Sequence, residues 1–282
     1  MAVRIITDSA ADFDPAVARR RRINVVPMTI QFGSATFVTG KTITNDVFYQ
    51  LLQEGKENPS TSQPTPAAFL RIFEEAKAAG DEVVAILLSG ALSGTLQSAT
   101  IAKGMCEYDS IYIVDSQTAT AGMQILVNYA CKLRDSGLPA AAIANAVEEQ
   151  RGRVRIFAVM DTLEYLRRGG RLSGFQAGLG AMTKLKPTIA VRDGAVGIVG
   201  KSFGMSAAVK NLMKFLDEHP IDDDYPSYFL YSDSKAVEEL LLPKLKEQGK
   251  LPLRLHTCGI GPTIGTHIGP GALGMAYMER EA

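Results

Sequence analysis

The segment that most constrains the fold is an unbroken apolar run, Val83-Val84-Ala85-Ile86-Leu87-Leu88, followed by Ser89-Gly90 and a small-residue helix predicted over 93–104. A strand that is apolar at every position has no face to offer water, so it belongs inside a parallel sheet covered by helices on both sides. The same order of strand, loop and helix recurs on either side of it. A strand over 3–7 leads to a helix opened by Asp14-Pro15, and a strand over 110–115 leads to a long helix over 118–135. Between them come a strand over 24–32, a hairpin-like stretch around Gly33-Ser34, and a helix capped by Thr44-Asn45-Asp46 with Val47, Phe48, Leu51 and Leu52 on one face. A polar loop over 54–64 then precedes an amphipathic helix that starts at Thr65-Pro66 and carries Phe69, Leu70, Phe73 and Ala76.

The second half changes rhythm. A strand over 154–159 and a short helix over 162–168, stopped by Gly169-Gly170, precede two strands, 186–192 and 195–201, joined by Asp193-Gly194. That dipeptide supplies the left-handed backbone of a tight hairpin and marks antiparallel pairing. Helices over 204–218 and 235–248 and strands over 228–231 and 253–257 complete this part. The expected fold is therefore α/β in two domains. Residues 1–160 form a parallel-sheet α/β domain, and residues 161–282 form an α+β domain with an antiparallel or mixed sheet. A chain of 282 residues suits two cores and a cleft between them.

Charge and composition exclude several function classes. Thirty basic residues balance thirty acidic ones, which disfavours nucleic acid as a partner. Apolar stretches reach strand length only, so the chain is expected to lack a membrane-spanning segment, and Met1-Ala2-Val3-Arg4 leads into a strand rather than a signal peptide. Cys106, Cys131 and Cys258 make no C-x-x-C pair, as expected of buried thiols in a reducing cytoplasm with no metal framework.

Four segments could carry chemistry. Ser89-Gly90-Ala91-Leu92-Ser93-Gly94-Thr95 lies where a parallel strand meets a helix, the place where α/β sheets bind anions. It matches neither a P-loop nor a dinucleotide fingerprint, and Ser93 could equally be an N-cap. Thr61-Ser62-Gln63-Pro64 is dense in hydrogen-bonding side chains, which also suits an ordinary turn. Gly265-Thr266-His267-Ile268-Gly269-Pro270-Gly271 reads as a glycine-rich loop holding one of three histidines. Tyr165-Leu166-Arg167-Arg168-Gly169-Gly170-Arg171-Leu172-Ser173 gathers three arginines, of which Arg171 lies past the glycine pair; cations at a helix end are the plain alternative. Asp8-Ser9 and Asp115-Ser116 repeat one pattern at two strand ends, as a shared rim or as loop caps.

Together with Thr7-Asp8-Ser9, Gln97-Ser98-Ala99 and Gly269-Pro270-Gly271, these segments resemble the DegV family, fatty-acid-binding subunits of bacterial fatty acid kinase systems, over nearly the whole chain. The resemblance implies a long-chain fatty acid enclosed between two domains, with its carboxylate held at Thr61, Ser62, Ser93, Gly94 and His267. It further implies a separate kinase subunit that phosphorylates the carboxylate, so this chain would be a carrier without catalytic residues or cofactor. Arg167, Arg168 and Arg171 are then expected to meet the kinase or the phosphoryl group, with Asp8, Ser9, Asp115 and Ser116 on the rim. Transient membrane contact would serve lipid exchange. Gly90 and Leu96 depart from the family pattern and bear on pocket shape. Two rival functions stand beside this one. One is a serine hydrolase using Ser93, Asp115 or Asp161, and His267, weakened by the lack of G-x-S-x-G; the other is a regulatory protein filled by lipid.

Overall fold

The computed structural model describes residues 2–55, 57–172, 185–234 and 236–281. Four parallel strands form one sheet in the order β2-β1-β6-β7, with β1 at Val3–Asp8, β2 at Ile23–Val26, β6 at Glu82–Leu87 and β7 at Ile111–Asp115. The expected strand over 24–32 is in fact two. Pro27, which has no N–H for a sheet ladder, ends β2, and the chain turns into β3 (Thr29–Phe32) of a separate antiparallel sheet, β4-β3-β5. That sheet is completed by β4 (Ala35–Val38) and by β5 (Ser60–Ser62), a strand inside the segment read as a polar loop. Three residues paired to one partner, with Thr61 opposite Ile30, are too short to leave an apolar pattern.

Six strands form the second sheet in the order β10-β9-β8-β13-β11-β12, antiparallel except between the last two. They are β8 (Val154–Val159), β9 (Leu185–Arg192), β10 (Ala195–Phe203), β11 (Ser227–Tyr231), β12 (Leu255–Gly259) and β13 (Leu273–Met278). Because β8 belongs to this sheet, the chain passes from one sheet to the other ahead of residue 160. The hairpin between β9 and β10 forms as the dipeptide requires, with Asp193 and Gly194 both at positive φ. β13, absent from the sequence reading, is buried at every residue. Its composition, Leu-Gly-Met-Ala-Tyr-Met, lacks the β-branched residues that mark a strand. Gly274 is also required there, since a Cβ would stand 2.1 Å from the Phe157 carbonyl of β8.

Ten helices cover the sheets: α1 (Pro15–Arg20), α2 (Asn45–Glu54), α3 (Pro66–Ala79), α4 (Thr95–Cys106), α5 (Thr120–Asp135), α6 (Ala140–Arg151), α7 (Glu164–Gly169), α8 (Met205–Glu218), α9 (Ala236–Glu247) and α10 (Pro262–Ile268), all among the described residues. Lys235 and Ser173, named in the sequence reading, lie outside them. Two helices were not foreseen. The alanine-rich α6 follows Pro139, and α10 occupies what reads as a glycine-rich loop. In α10 Pro262 sets the first turn, and Gly265 is needed because a side chain would strike Phe48 and Tyr49 at 2.7 Å.

The strands alternate between cores. Val83, Ala85 and Leu87 of β6 pack on Phe69, Phe73 and Ala102 of α3 and α4, while Val84 and Ile86 face Ile125 and Leu126 of α5. Ile156 and Ala158 of β8 meet that same central cluster from the other side, and Phe157 and Val159 pack on Leu212 and Leu245 of α8 and α9. α5 thus lies between the two sheets, which explains why its residues 120–127 are all buried.

Candidate functional site

The central layer is not filled everywhere. A cavity of about 360 Å³ opens between the sheets, within the usual size of a small-molecule site. Leu88, Leu92 and Ala119 line it from the parallel sheet and its loops, and Ile156, Ala158, Val191, Val196 and Leu230 from the mixed sheet. The β9–β10 turn reaches over to the first sheet, where Ser89 Oγ donates to the Gly194 carbonyl at 2.7 Å. Gly194 serves two needs, a φ of +79° and a gap that a Cβ would close to 2.5 Å from Ser89 Oγ.

The polar residues of the cavity are concentrated in the segments read from the sequence: Thr61, Ser62, Gln63, Ser93, Arg171 and His267. Thr61 hangs from β5, and its Oγ1 lies 2.9 Å from His267 Nε2 on α10, joining segments 206 positions apart. Ser93 precedes α4 but does not cap it through N2 or N3. Gly94 is the N-cap, and Ser93 Oγ accepts from Thr95 N at 3.3 Å and shares a hydrogen bond with Thr95 Oγ1 at 2.9 Å. Gly94 lets Gln63 cross the start of α4, since a Cβ there would meet the Gln63 amide at 2.3 Å. Glycine is needed at that position for space, and no direct contact with a ligand follows.

His267 is the most perturbed group of the cluster. Burial, with the nearby Arg171 guanidinium adding to it, lowers its pKa to about 4, so the ring is neutral at physiological pH. Its Nδ1 is buried with no partner among the described residues, because it faces Gly169 so closely that a Cβ would stand 2.2 Å away. A stranded lone pair costs less there than a stranded N–H, which favours the proton on Nε2. Nε2 then donates to Thr61 and leaves the Thr61 hydroxyl free to donate to a ligand. The glycine pair and the histidine, far apart in sequence, are thus one packing unit of α7 and α10.

The three arginines divide. Arg167 and Arg168 both pair with Glu164 one turn earlier, and these bonds hold the Glu164 carboxyl down to about 2. The expected excess of three charges is thereby reduced. Arg171 instead turns into the cavity, its Nε donating to the Leu92 carbonyl at 3.1 Å and its Nη1 to the Gly169 carbonyl. It stands with the polar cluster rather than with the other two arginines.

Asp8, Ser9, Asp115 and Ser116 do lie at strand ends, but their side chains turn to backbone groups and, for Ser9, also to the Thr39 and Thr263 hydroxyls, and none lines the cavity. Buried Asp8 accepts from Ala10 N and Leu88 N, and burial raises its pKa to about 6. Ser9 Oγ accepts from Met28 N and from Thr39 Oγ1, Asp115 accepts from Gly90 N and Gln117 N, and Ser116 closes the turn to Thr118. Asp8, Asp115 and Ser116 cap their own loops, the alternative left open by the sequence, while Asp8, Ser9 and Asp115 also tie neighbouring segments together.

The hydrolase arrangement is not assembled. Ser93 bonds Thr95 rather than His267, Asp115 is spent on backbone donors, Asp161 pairs with Lys186, and no carboxylate reaches His267 Nδ1. Among the described residues no three His, Cys, Asp or Glu side chains gather as a metal site, and no helix is long and apolar enough to cross a membrane.

The family model for DegV, described as an uncharacterised protein of the DegV family, matches residues 2–280. The chain belongs to the DegV family. A DegV domain-containing protein of Caldanaerobacter subterraneus subsp. tengcongensis is 32% identical over 99% of both chains. A DegV family protein from Thermus thermophilus, whose structure was described for fatty acid binding, superposes with a TM-score of 0.89 at 32% identity, over 99% of this chain and 100% of that one. DegV from Bacillus subtilis, described as a fatty acid binding protein, gives 0.85 at 26%, over 99% and 100%.

Proposed function

We propose that this DegV-family protein binds one long-chain fatty acid in the cavity between its sheets and presents the carboxylate to a partner fatty acid kinase. The observation that carries this reading is the distribution of the cavity wall, apolar along both sheets and polar where Thr61, Ser62, Ser93, Arg171 and His267 converge. About ten buried methylenes supply roughly 8 kcal/mol, so the chain provides the affinity and the polar end fixes orientation. Thr61 and Ser93 donate to the carboxylate, Arg171 offsets its charge, and the neutral His267 holds Thr61 in its donating orientation. The fatty acid binding described for the Thermus thermophilus and Bacillus subtilis relatives supports the same ligand class.

Presentation to a kinase is supported by the exposure of the polar end. Ser62 is exposed and Thr61 and Ser93 are partly so, whereas most of the aliphatic wall is buried. A carboxylate held there keeps one oxygen within reach of an external phosphoryl donor, with Arg167 and Arg168 on α7 facing the incoming subunit. The three buried, unpaired cysteines suit a cytoplasmic protein. Native mass spectrometry of protein purified from cells tests the first half: one fatty acid per chain is expected, and its absence refutes the reading. Acyl-phosphate formation with an added fatty acid kinase tests the second. A Thr61→Val/Ser93→Ala double variant is expected to lose both lipid occupancy and product.

A further inference from the structure

The lipid site leaves unused a larger groove on another face, with a volume of about 1550 Å³, between α1, α5 and the last strands of the mixed sheet. Six cations line it: Arg19, Arg20, Arg21, Lys41, Lys132 and Arg254. Three of them come from an uninterrupted run, Arg19-Arg20-Arg21-Arg22, in a chain whose charges balance overall at 30 and 30. Among the described residues none of the six forms an ion pair. Arg21 donates to Asn128 Oδ1 at 2.8 Å and Arg254 to the Asp224 carbonyl at 3.2 Å. Of the three acids on the groove wall, Asp14 is committed to capping α1, Asp12 is hydrogen-bonded to Thr120, and Asp224 lies beside Arg254, so the six cations leave a local excess of positive charge.

One wall of this groove is the open edge of a sheet. β12 is the outermost strand and, among the described residues, pairs only with β11. Ser227 N donates to the Arg254 carbonyl and Ile260 N to the Tyr231 carbonyl, so the even-numbered residues from 254 to 260 point their backbone groups at β11. In a parallel ladder the alternate residues, Leu255 and Thr257, then point their N–H and C=O groups outward. His256 and Thr257 are exposed. An edge of this kind accepts an added strand through main-chain hydrogen bonds.

We infer that this groove is a docking site for an extended acidic segment of a partner protein, which pairs with the β12 edge while its carboxylates meet the arginines of α1 and Arg254. Backbone pairing supplies the register and the surrounding cations supply the selection for negative charge, with an on-rate that falls as salt rises. The inference does not rest on the lipid reading, since the groove and the lipid cavity have no lining residue in common.

The probe is a fluorescein-labelled peptide of alternating glutamate and valine, followed by anisotropy, with a lysine-valine peptide and a single-stranded RNA as competitors. Saturable binding of the acidic peptide is expected, together with slowed amide hydrogen exchange at Leu255 and Thr257. An Arg20→Glu/Arg254→Glu variant, checked for an unchanged circular dichroism spectrum and unchanged lipid content, should bind at least tenfold more weakly. Thr257→Pro, which removes an outward N–H from an edge strand, should also lose binding. Absence of saturable binding, equal binding of the lysine peptide, tighter binding of RNA, or binding without protection of the two amides each overturns the proposal.

Discussion

Alanine substitutions at the two adjacent glycines of α7 separate two reasons for having glycine, and the outcome tests the assignment of His267. Gly169 has no positive φ, so alanine fits its backbone and in open space would gain about 1 kcal/mol of helix propensity. Its Cβ, however, would stand 2.2 Å from His267 Nδ1 and 3.1 Å from Cε1. Relief requires the buried ring to move off Thr61, at about 0.5–1.5 kcal/mol for the lost hydrogen bond and about 1–3 kcal/mol for overpacking. The net expectation for Gly169→Ala is destabilisation by about 0.5–3.5 kcal/mol, with loss of the 2.9 Å contact to Thr61 and weaker fatty acid binding. Gly170 has φ +67° and nothing within 4 Å of a Cβ. Gly170→Ala should therefore cost about 1–2 kcal/mol of backbone strain while leaving the histidine and the lipid untouched. Thermal unfolding, the ¹⁵N shifts of the His267 ring and native mass spectrometry on both variants measure these effects. If Gly169→Ala is as stable as the parent with unchanged ring shifts, the account of His267 as a ring clamped between Gly169 and Thr61 is wrong.

Because burial holds the folded His267 near 4, below its unfolded value of 6.5, the unfolded chain binds the extra proton between those pH values; the stability contributed is present above about 6.5 and lost as pH falls toward 4. Chemical denaturation of the parent and of His267→Gln at pH 7 and pH 4.5 should differ by up to about 3 kcal/mol in that dependence, and parallel curves would exclude it. Asp12 has the opposite sign: burial raises its carboxyl from 3.8 to about 7, so its contribution is fullest below 3.8 and declines as pH rises through 7. Asp12→Asn, which retains a residue tolerant of the left-handed backbone at φ +53°, should gain stability relative to the parent on going from pH 5 to pH 8. Arg171→Gln should narrow the preference for a free fatty acid over its methyl ester by about tenfold, read by competitive displacement, while the bound chain is retained; an unchanged preference removes Arg171 from the head-group site.

The elements legible in the sequence are those that carry their own local signal, in the parallel half and beyond it. β6 is an unbroken apolar run, α1 opens on Asp14-Pro15, and the β9–β10 turn announces itself in Asp193-Gly194. Elements whose signal lies in their neighbours were not legible. β5 exists because β3 offers it an edge, β13 because it fills the middle of a six-stranded sheet, and α10 because Gly265 fits against Phe48 and Tyr49. The strand-end pairs Asp8-Ser9 and Asp115-Ser116 misled for a related reason. A short polar side chain after a strand looks the same in sequence whether it points at a ligand or turns to its own and neighbouring loops.

By itself the sequence determined the hydroxyls and the imidazole that meet at the polar end of the cavity, Thr61, Ser93 and His267, and the alternation of strand and helix that places a cleft between two sheets. Those follow from periodicity, punctuation and motif, which are properties of neighbours along the chain. Tertiary structure alone decided which of three arginines enters the cavity, because Arg167 and Arg168 are held by Glu164 on their own helix while Arg171 lies past the left-handed Gly170 and meets the Leu92 carbonyl, 79 positions away. It also decided that His267 stays neutral, since a pKa is set by burial and by charges that come near only when α7 and α10 pack together.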